Sequence, residues 1–386
     1  MWIQGESVRR RGGRQHRDRH PARRTGCAGS QGPDGRRRRG VRGGARAGDR
    51  RAAASGQSTG PVGKKVDAAF AMLGGDRHEP TAVFEMAAAA GLRLVPRTKR
   101  DPLTTTTRGV GEMLLAALDE GARRVLIGCG DSGTNDGGAG MAQALGVHLH
   151  DEDGNELGAG GGELQRLASI DVTGRDPRIA DTDIEVACNW TNVLTGPQGV
   201  AQVYGPQKGA SPETVERLEQ ALDRYADVVD RELGTGVRTA PGTGASGGLG
   251  AGLWALAGAR LRPRFEVISE YLDLDALIAD AHLVITAEGA IDRQTPRGKV
   301  PAEVARLATE RDVPVIALTG TLGEGVRAAL DAGLDAYASI IDHPCTLAEA
   351  LESAQVALVR TAEQTMRMLL VGRRLAWAAA AAAVTA

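Results

Sequence analysis

Four cysteines in 386 residues, Cys27, Cys129, Cys188 and Cys345, stand far apart and form no CxxC pair, which argues against both a zinc ribbon and a disulfide framework. Aromatic residues make up only 3% of the chain, so Ala, Val, Leu and Ile must supply most of the packing. Long apolar runs are missing as well. The longest, Leu375 to Ala386, is dominated by Ala and falls far short of the roughly 20 residues that span a bilayer. No apolar stretch of signal-peptide length follows the twin arginines near the start, so a reducing cytoplasm is expected rather than export. The phosphate-loop pattern GxxxxGK(S/T) is absent too, because Ser58 and Arg293 stand where its first glycine would precede Gly63-Lys64 and Gly298-Lys299.

Charge is scarce only in sum. The chain carries 47 Lys and Arg against 48 Asp and Glu, a net −1. Residues 1–60 hold 16 Arg, no Lys and four acids, a charge of +12, which leaves 31 bases and 44 acids, or −13, for residues 61–386. The first 60 residues are rich in Arg and Gly, have almost no aliphatic side chains and show no apolar period, so they are expected to form a disordered leader. Two other readings stand beside that one. Clusters such as Arg36-Arg37-Arg38-Arg39 suit nucleic-acid phosphates, and such text also arises when GC-rich DNA is read from a wrong start or frame.

From Gly60 onward the pattern is that of a folded chain. Val66–Leu73 and Thr81–Met86 are strand-length apolar runs on either side of a turn, and Met113, Leu114, Ala117 and Leu118 have helical spacing. Arg124–Gly128 reads as a buried strand, followed by a glycine-dense loop and a short helix, Ala139–Leu145. That unit returns at Leu283–Thr286 with Val300–Thr309, and at Val313–Leu318 with Gly325–Ala332. Ile184–Cys188 suggests one more strand. Ser211–Val229 reads as an amphipathic helix capped by Ser211, with Val215, Leu218, Leu222 and Tyr225 on one face. Repetition of strand, loop and helix predicts an α/β fold with mainly parallel sheets. A boundary near Phe265 divides it into a glycine-rich substrate domain, 61–265, and a Rossmann-like domain, 266–386.

Four loops carry residues suited to chemistry. In Gly128–Gly140 the glycines let backbone amides approach an anion; Ser132, Thr134 and Asn135 add neutral donors, and Asp131 and Asp136 can accept a proton or hold Mg²⁺. Pro241–Gly252 is either a second anion cradle or a close helix contact. Ala287–Lys299 joins Glu288 and Asp292 to Arg293, Arg297 and Lys299, a mixture that fits metal-assisted phosphoryl transfer. Tyr204–Ala210 sets Lys208 just before a capped helix. Gly128, Gly130 and Gly133 also satisfy GxGxxG, with Asp151 or Asp153 about 20 residues on, so an NAD(P)-dependent oxidoreductase is the alternative. His148 and His150 alternate along a strand but lack a third ligand at recognisable spacing.

Taken in order, Gly111-Glu112, Ser132-x-Thr-Asn-Asp-Gly-Gly-Ala-Gly-Met141, Ala187-Cys188, Leu194-x-Gly196, Gly205-Pro-Gln-Lys-Gly-Ala210, Pro241-Gly-x-Gly, Gly247-Gly-Leu-Gly250 and Glu288-Gly-x-Ile-Asp-x-Gln-Thr295 with Gly298-Lys299 resemble the bacterial glycerate kinase family of the glycerate 2-kinase type, over about residues 61–370. The resemblance implies ATP- and Mg²⁺-dependent phosphorylation of D-glycerate, with O2 as the expected acceptor. It further implies two α/β domains with the site between them, the Rossmann-like one completed by the C-terminal segment. Carried onto this chain, it assigns Asp136, Lys208 and Asp292 to catalysis. Gly130, Ser132, Thr134, Asn135, Gly137, Gly138, Gly247, Gly248 and Lys299 fall to substrate or phosphate, and Glu288 and Asp292 to the metal. Three departures accompany it. No Asp-Ser-Phe-Lys-Gly segment opens the chain, Asp131 replaces a usual Gly, and Asn189-Trp190-Thr191-Asn192-Val193 lacks two usual carboxylates.

Overall fold

The structure, a computed structural model, describes residues 50–74, 79–293, 295–296 and 299–384. Contacts divide the chain into two units. One runs to Val284 and adds Arg306–Val313, and the other comprises Ile285–Ala305 and Pro314–Ala386. The change of unit thus falls beyond the Phe265 expected from sequence.

The first unit is built on a six-stranded sheet of order β1-β2-β3-β4-β7-β8. Its strands are β1 (Arg50–Thr59), β2 (Lys65–Leu73), β3 (Thr81–Glu85), β4 (Arg124–Gly128), β7 (Asp183–Cys188) and β8 (Arg260–Pro263). Pairs β1–β2 and β2–β3 are antiparallel; β3–β4, β4–β7 and β7–β8 are parallel. A separate antiparallel pair joins β5 (His148–His150) to β6 (Ser169–Asp171). Central β4 buries Val125, Leu126 and Ile127 in succession, as a strand covered on both faces must.

Arg50–Thr59 lies inside the stretch expected to be a leader, yet it pairs with β2 from Arg50↔Leu73 to Thr59↔Lys65. Ser55-Gly-Gln-Ser-Thr59 shows no apolar alternation because backbone pairing and Glu112 hold it instead. That carboxylate accepts from Thr59 N at 2.6 Å and Thr59 Oγ1 at 2.8 Å. Residues 1–49, with the Arg36–Arg39 cluster, lie outside the described residues.

Two helices fix the glycine-dense loop in place. Helix Arg108–Asp119 buries Val110, Met113, Leu114 and Ala117 and crosses helix Ala139–Ala144 so closely that a Cβ on Gly111 would stand 2.3 Å from Met141 O. Helix Pro212–Leu233 starts at Ser211, whose Oγ accepts from Thr214 N at 3.2 Å, and ends at Gly234 in the left-handed region. Its buried face includes the expected Val215, Leu218, Leu222 and Tyr225.

The second unit holds a three-stranded sheet of order β11-β10-β9, with β9 Val284–Ile291, β10 Val315–Leu322 and β11 Ala336–Ser339. Strands β10 and β11 run parallel. Helix Val300–Thr309 follows β9 as expected, whereas 325–332 supplies only the single turn Ala328–Asp331. Among the described residues no helix is long and apolar enough to cross a membrane.

Glu185 on β7 is fully buried and is shared by Arg124 Nη2, at 2.8 Å, and Arg262 Nη1. Burial by itself pushes its carboxyl up, but hydrogen bonds and charge from Arg262 and Arg124 hold it below the usual 4.5. The stability it contributes is therefore present above pH 4.5 and is lost as pH falls through the lowered value. Removing it leaves Arg262 only the exposed Glu270 and Arg124 only the exposed Asp183 as acidic partners, so Glu185→Ala is expected to cost about 3 kcal/mol in urea unfolding at pH 7. Glu185→Gln should also flatten the acid limb of stability against pH.

Candidate active site

The glycine loop leaves β4 at the carboxyl ends of parallel β3, β4 and β7, the edge of an open α/β sheet at which ligands bind. Its first part lies over 90–92: Leu92 N donates to Asp131 O at 2.8 Å and Gly133 N to Ala90 O at 2.9 Å. Asp131 is exposed at φ 50°. Gly130 has nothing within 4 Å of its Cβ position, and Ser132 is 9% exposed. These three residues form the rim of the loop, with Gly130 and Asp131 its part open to solvent.

Beyond Gly133 the loop dives into the core. Asp136 is fully buried, and its Oδ2 accepts from Thr107 N (2.7 Å), Thr107 Oγ1 (2.9 Å) and Gly140 N (3.3 Å), its Oδ1 from Gly138 N (3.2 Å). Burial raises its carboxyl above the ordinary value, against those hydrogen bonds. Lys208, 2% exposed, donates from Nζ to Thr134 O and Asn135 Oδ1, each at 2.7 Å. Burial holds it down to about 7, while the charge of Asp136 acts in the opposite sense. Both side chains face the underside of the loop. Thr134 Oγ1, Asn135 Nδ2 and Tyr225 OH are buried there without a hydrogen-bond partner, each at a cost of roughly 1–3 kcal/mol.

Gly247 and Gly248 serve the loop by absence. A Cβ on Gly247 would meet Thr134 O at 1.8 Å, and one on Gly248 would meet Gly137 Cα at 2.8 Å; both residues have positive φ. Gly137 N donates to Gly247 O at 3.1 Å. Of the two readings of Pro241–Gly252, close backbone packing accounts for these contacts. Asn192 supports the same turn through its carbonyl, which accepts from Gly242 N (3.0 Å) and Gly244 N (3.2 Å).

Glu85 was not singled out in the sequence. It ends β3 beside Gly128, half-buried, and its carboxyl is raised first by burial and then by the charge of Asp131, with Arg93 opposing. The available signal was an acid closing an apolar strand whose parallel neighbour opens a glycine loop.

In the second unit, Lys299 Nζ donates to Asp292 Oδ1 (3.1 Å) and Oδ2 (3.2 Å) and to Ala290 O (3.2 Å), closing the loop after β9. Asp292 N donates to Thr295 Oγ1 at 3.0 Å. Glu288 lies four residues earlier, within β9, on the order of 13 Å back along an extended strand. Gln294, Arg297 and Gly298 lie outside the described residues. The predicted site residues thus form two groups: Glu288, Asp292 and Lys299 in this unit, and all the others in the first.

The dinucleotide alternative fails on topology. The strand after the GxGxxG segment, β5, does not lie beside β4 in the parallel sheet but pairs antiparallel with β6. Asp151 is no ribose ligand either, because its carboxylate accepts from Asn155 N at 2.8 Å and pairs with Arg166.

The model of the Glycerate kinase family matches residues 44–370, so the match begins before Gly60. A glycerate kinase of Bacillus subtilis (strain 168) is 49% identical over 304 residues, 79% of each chain. A glycerate 2-kinase of Escherichia coli (strain K12) is 46% identical over 82% of each. Among solved structures, that of a candidate glycerate kinase 2 from Salmonella typhimurium LT2 is 47% identical with a TM-score of 0.66, covering 81% of this chain and 84% of that one.

Lys208 gives the floor of the loop a titration signature. Between about pH 7 and 10.5 the folded chain binds fewer protons at this amine than the unfolded chain does, so stability rises with pH across that window. The slope is expected to reach up to about 1.4 kcal/mol per pH unit in urea unfolding. Lys208→Met should remove this part of the rise, and an unchanged slope in the variant would contradict a buried, mainly neutral amine.

Proposed function

Since the chain belongs to the glycerate kinase family, we propose that it transfers the γ-phosphoryl group of ATP to the 2-hydroxyl of D-glycerate, yielding 2-phosphoglycerate and ADP. The observation that carries this reading is the family match over residues 44–370, which spans both the Gly128–Gly140 and the Ala287–Lys299 loops. With ATP as co-substrate, the enzyme belongs in the cytoplasm.

Phosphoryl transfer asks a protein mainly for positioning and for charge stabilisation. The rim of the first loop supplies the former: Gly130 and Ser132 offer a close backbone approach and a hydroxyl to an anionic substrate. Glu85 is our candidate acceptor for the hydroxyl proton, because its raised carboxyl brings it toward the range in which a general base works. Asp136 and Lys208 act as positioning residues that hold the rim. Their committed hydrogen bonds suit them to that role better than to contact with a substrate.

In the second unit, Lys299 is suited to neutralise phosphate oxygens. Mg²⁺ takes hard oxygen ligands, commonly one or two carboxylates completed by nucleotide phosphates, and Asp292 offers such a carboxylate beside the cationic Lys299. Its distance along β9 makes Glu288 less suited to the same ion. When bound, Mg²⁺ would screen the phosphate charge.

The test is a coupled ADP-release assay with D-glycerate and Mg·ATP, followed by enolase, which takes 2-phosphoglycerate directly. Turnover without an enolase signal would reject the 2-hydroxyl, and silence across a range of hydroxy acids would reject the kinase reading. Glu85→Gln is expected to lower kcat about a hundredfold and to abolish the acid limb of the kcat profile, with KM little changed. Asp292→Asn should lower kcat about a hundredfold and raise the Mg²⁺ concentration needed for half-maximal rate.

A further inference from the structure

We propose a second site, outside the phosphoryl-transfer machinery: a divalent transition-metal centre of the zinc type, built from His148, His150 and Glu156 at the β5–β6 hairpin. Among the described residues, no other three His, Cys, Asp or Glu side chains bring one ligand atom each within 4.8 Å of one another. Two residues apart on β5, the imidazoles leave the same face of the strand, their centroids 5.9 Å apart and their planes 18° from parallel.

The fold delivers the third ligand that the sequence spacing hid. After β5 the chain turns on Asp151, whose Oδ1 accepts from Asp153 N and Asn155 N, and Leu157 N then returns to Leu149 O at 2.8 Å. That return bridges Glu156 to His150 and sets Glu156 Oε2 3.0 Å from His148 Nδ1 and 3.7 Å from His150 Nε2. Ligand atoms around a tetrahedral ion with bonds of about 2.0–2.1 Å stand roughly 3.3–3.4 Å apart, and the two observed distances bracket that value. The other oxygen, Oε1, accepts from Gln143 Nε2 at 2.9 Å and Leu149 N at 3.3 Å, so the carboxylate is already oriented. Asp171, opposite His148 in the β5–β6 register, adds negative charge.

Imidazole nitrogen with carboxylate oxygen suits zinc, copper or nickel and not Mg²⁺. Three protein ligands leave the fourth position to water, and His148, Glu156 and Gln143 border a cavity of about 370 Å³. A bound ion would tie β5 to the chain returning from its turn.

The full chain, stripped with a chelator, is titrated with Zn²⁺ against a metallochromic indicator and separately with Cu²⁺ under electron paramagnetic resonance. One equivalent of Zn²⁺ should bind at least about a hundredfold more tightly than in His148→Ala or His150→Ala. Gln143→Leu, which keeps all three ligands but frees Oε1, should weaken binding about tenfold. The Cu²⁺ spectrum should show coupling to two imidazole nitrogens in the parent chain and to one in each His variant. Zinc-free kinase turnover, unchanged in all three variants, serves as the folding control. Equal zinc affinity in all four proteins, or a Cu²⁺ spectrum that the His variants leave unaltered, would overturn the site.

Discussion

The first unit depends on a carboxylate that never meets solvent. Asp136 gathers Thr107, Gly138 and Gly140 around itself, and in doing so joins the entry of helix Arg108–Asp119 to the entry of helix Ala139–Ala144. A buried carboxylate is tolerated only where hydrogen bonds replace its hydration. Here three of the four donors are amides that a helix start leaves without intrahelical partners, the fourth being the Thr107 hydroxyl, so one side chain satisfies both needs. The glycines around it follow from the same constraint. Gly247 and Gly248 lack a Cβ because the loop Asp136 draws inward occupies the space where one would stand, and Gly111 lacks one because helix Ala139–Ala144 crosses there.

That inward pull separates the loop into a floor and a rim. Thr134, Asn135, Asp136 and Lys208 form the floor, all buried, with Lys208 bonded to Thr134 and Asn135 and Asp136 bonded to the two helix starts. Gly130, Asp131 and Ser132 form the rim at the carboxyl end of the parallel strands. On the function proposed, a rim carried on such a floor would keep its backbone amides fixed before a ligand arrives, as preorganised dipoles must be to lower a charged transition state without reorganising at the moment of reaction. The unpartnered Thr134 Oγ1 and Asn135 Nδ2 mark the stability cost of that arrangement.

The architecture was legible where periodicity is strong. Val125–Ile127 and the face of helix Pro212–Leu233 declare themselves because burial selects their side chains one by one. β1 was not legible, since its pairing uses backbone groups that every sequence has and its fixing point is a glutamate 53 residues away. The two glycine loops stood out together, but only three dimensions divide their residues into packing and exposure: Gly247 and Gly248 look like a phosphate cradle in one dimension and in three also form a slot for Thr134 and Gly137. Glu85 and Glu156 were hidden for a common reason. Each gains its partners from a neighbouring strand or a returning turn, and spacing along the chain carries no record of either.

Charge, too, takes on a local meaning. Residues 61–386 carry −13 and the whole chain −1, so net charge supplies no attraction for anions such as glycerate and ATP. On the function proposed, short-range groups within each unit would supply it: loop amides and Arg93 near Glu85 in the first, Lys299 after β9 in the second. Lys208 is not among them, because a lysine held down to about 7 and bonded to two oxygens of its own loop projects little field to solvent. Close-range capture suits a reaction that needs its reactants oriented more than it needs them gathered. On the function proposed, the contacts that attract an anion are also the ones that align it, and selection for small anions would rest on the reach of the Gly130–Ser132 rim rather than on net charge.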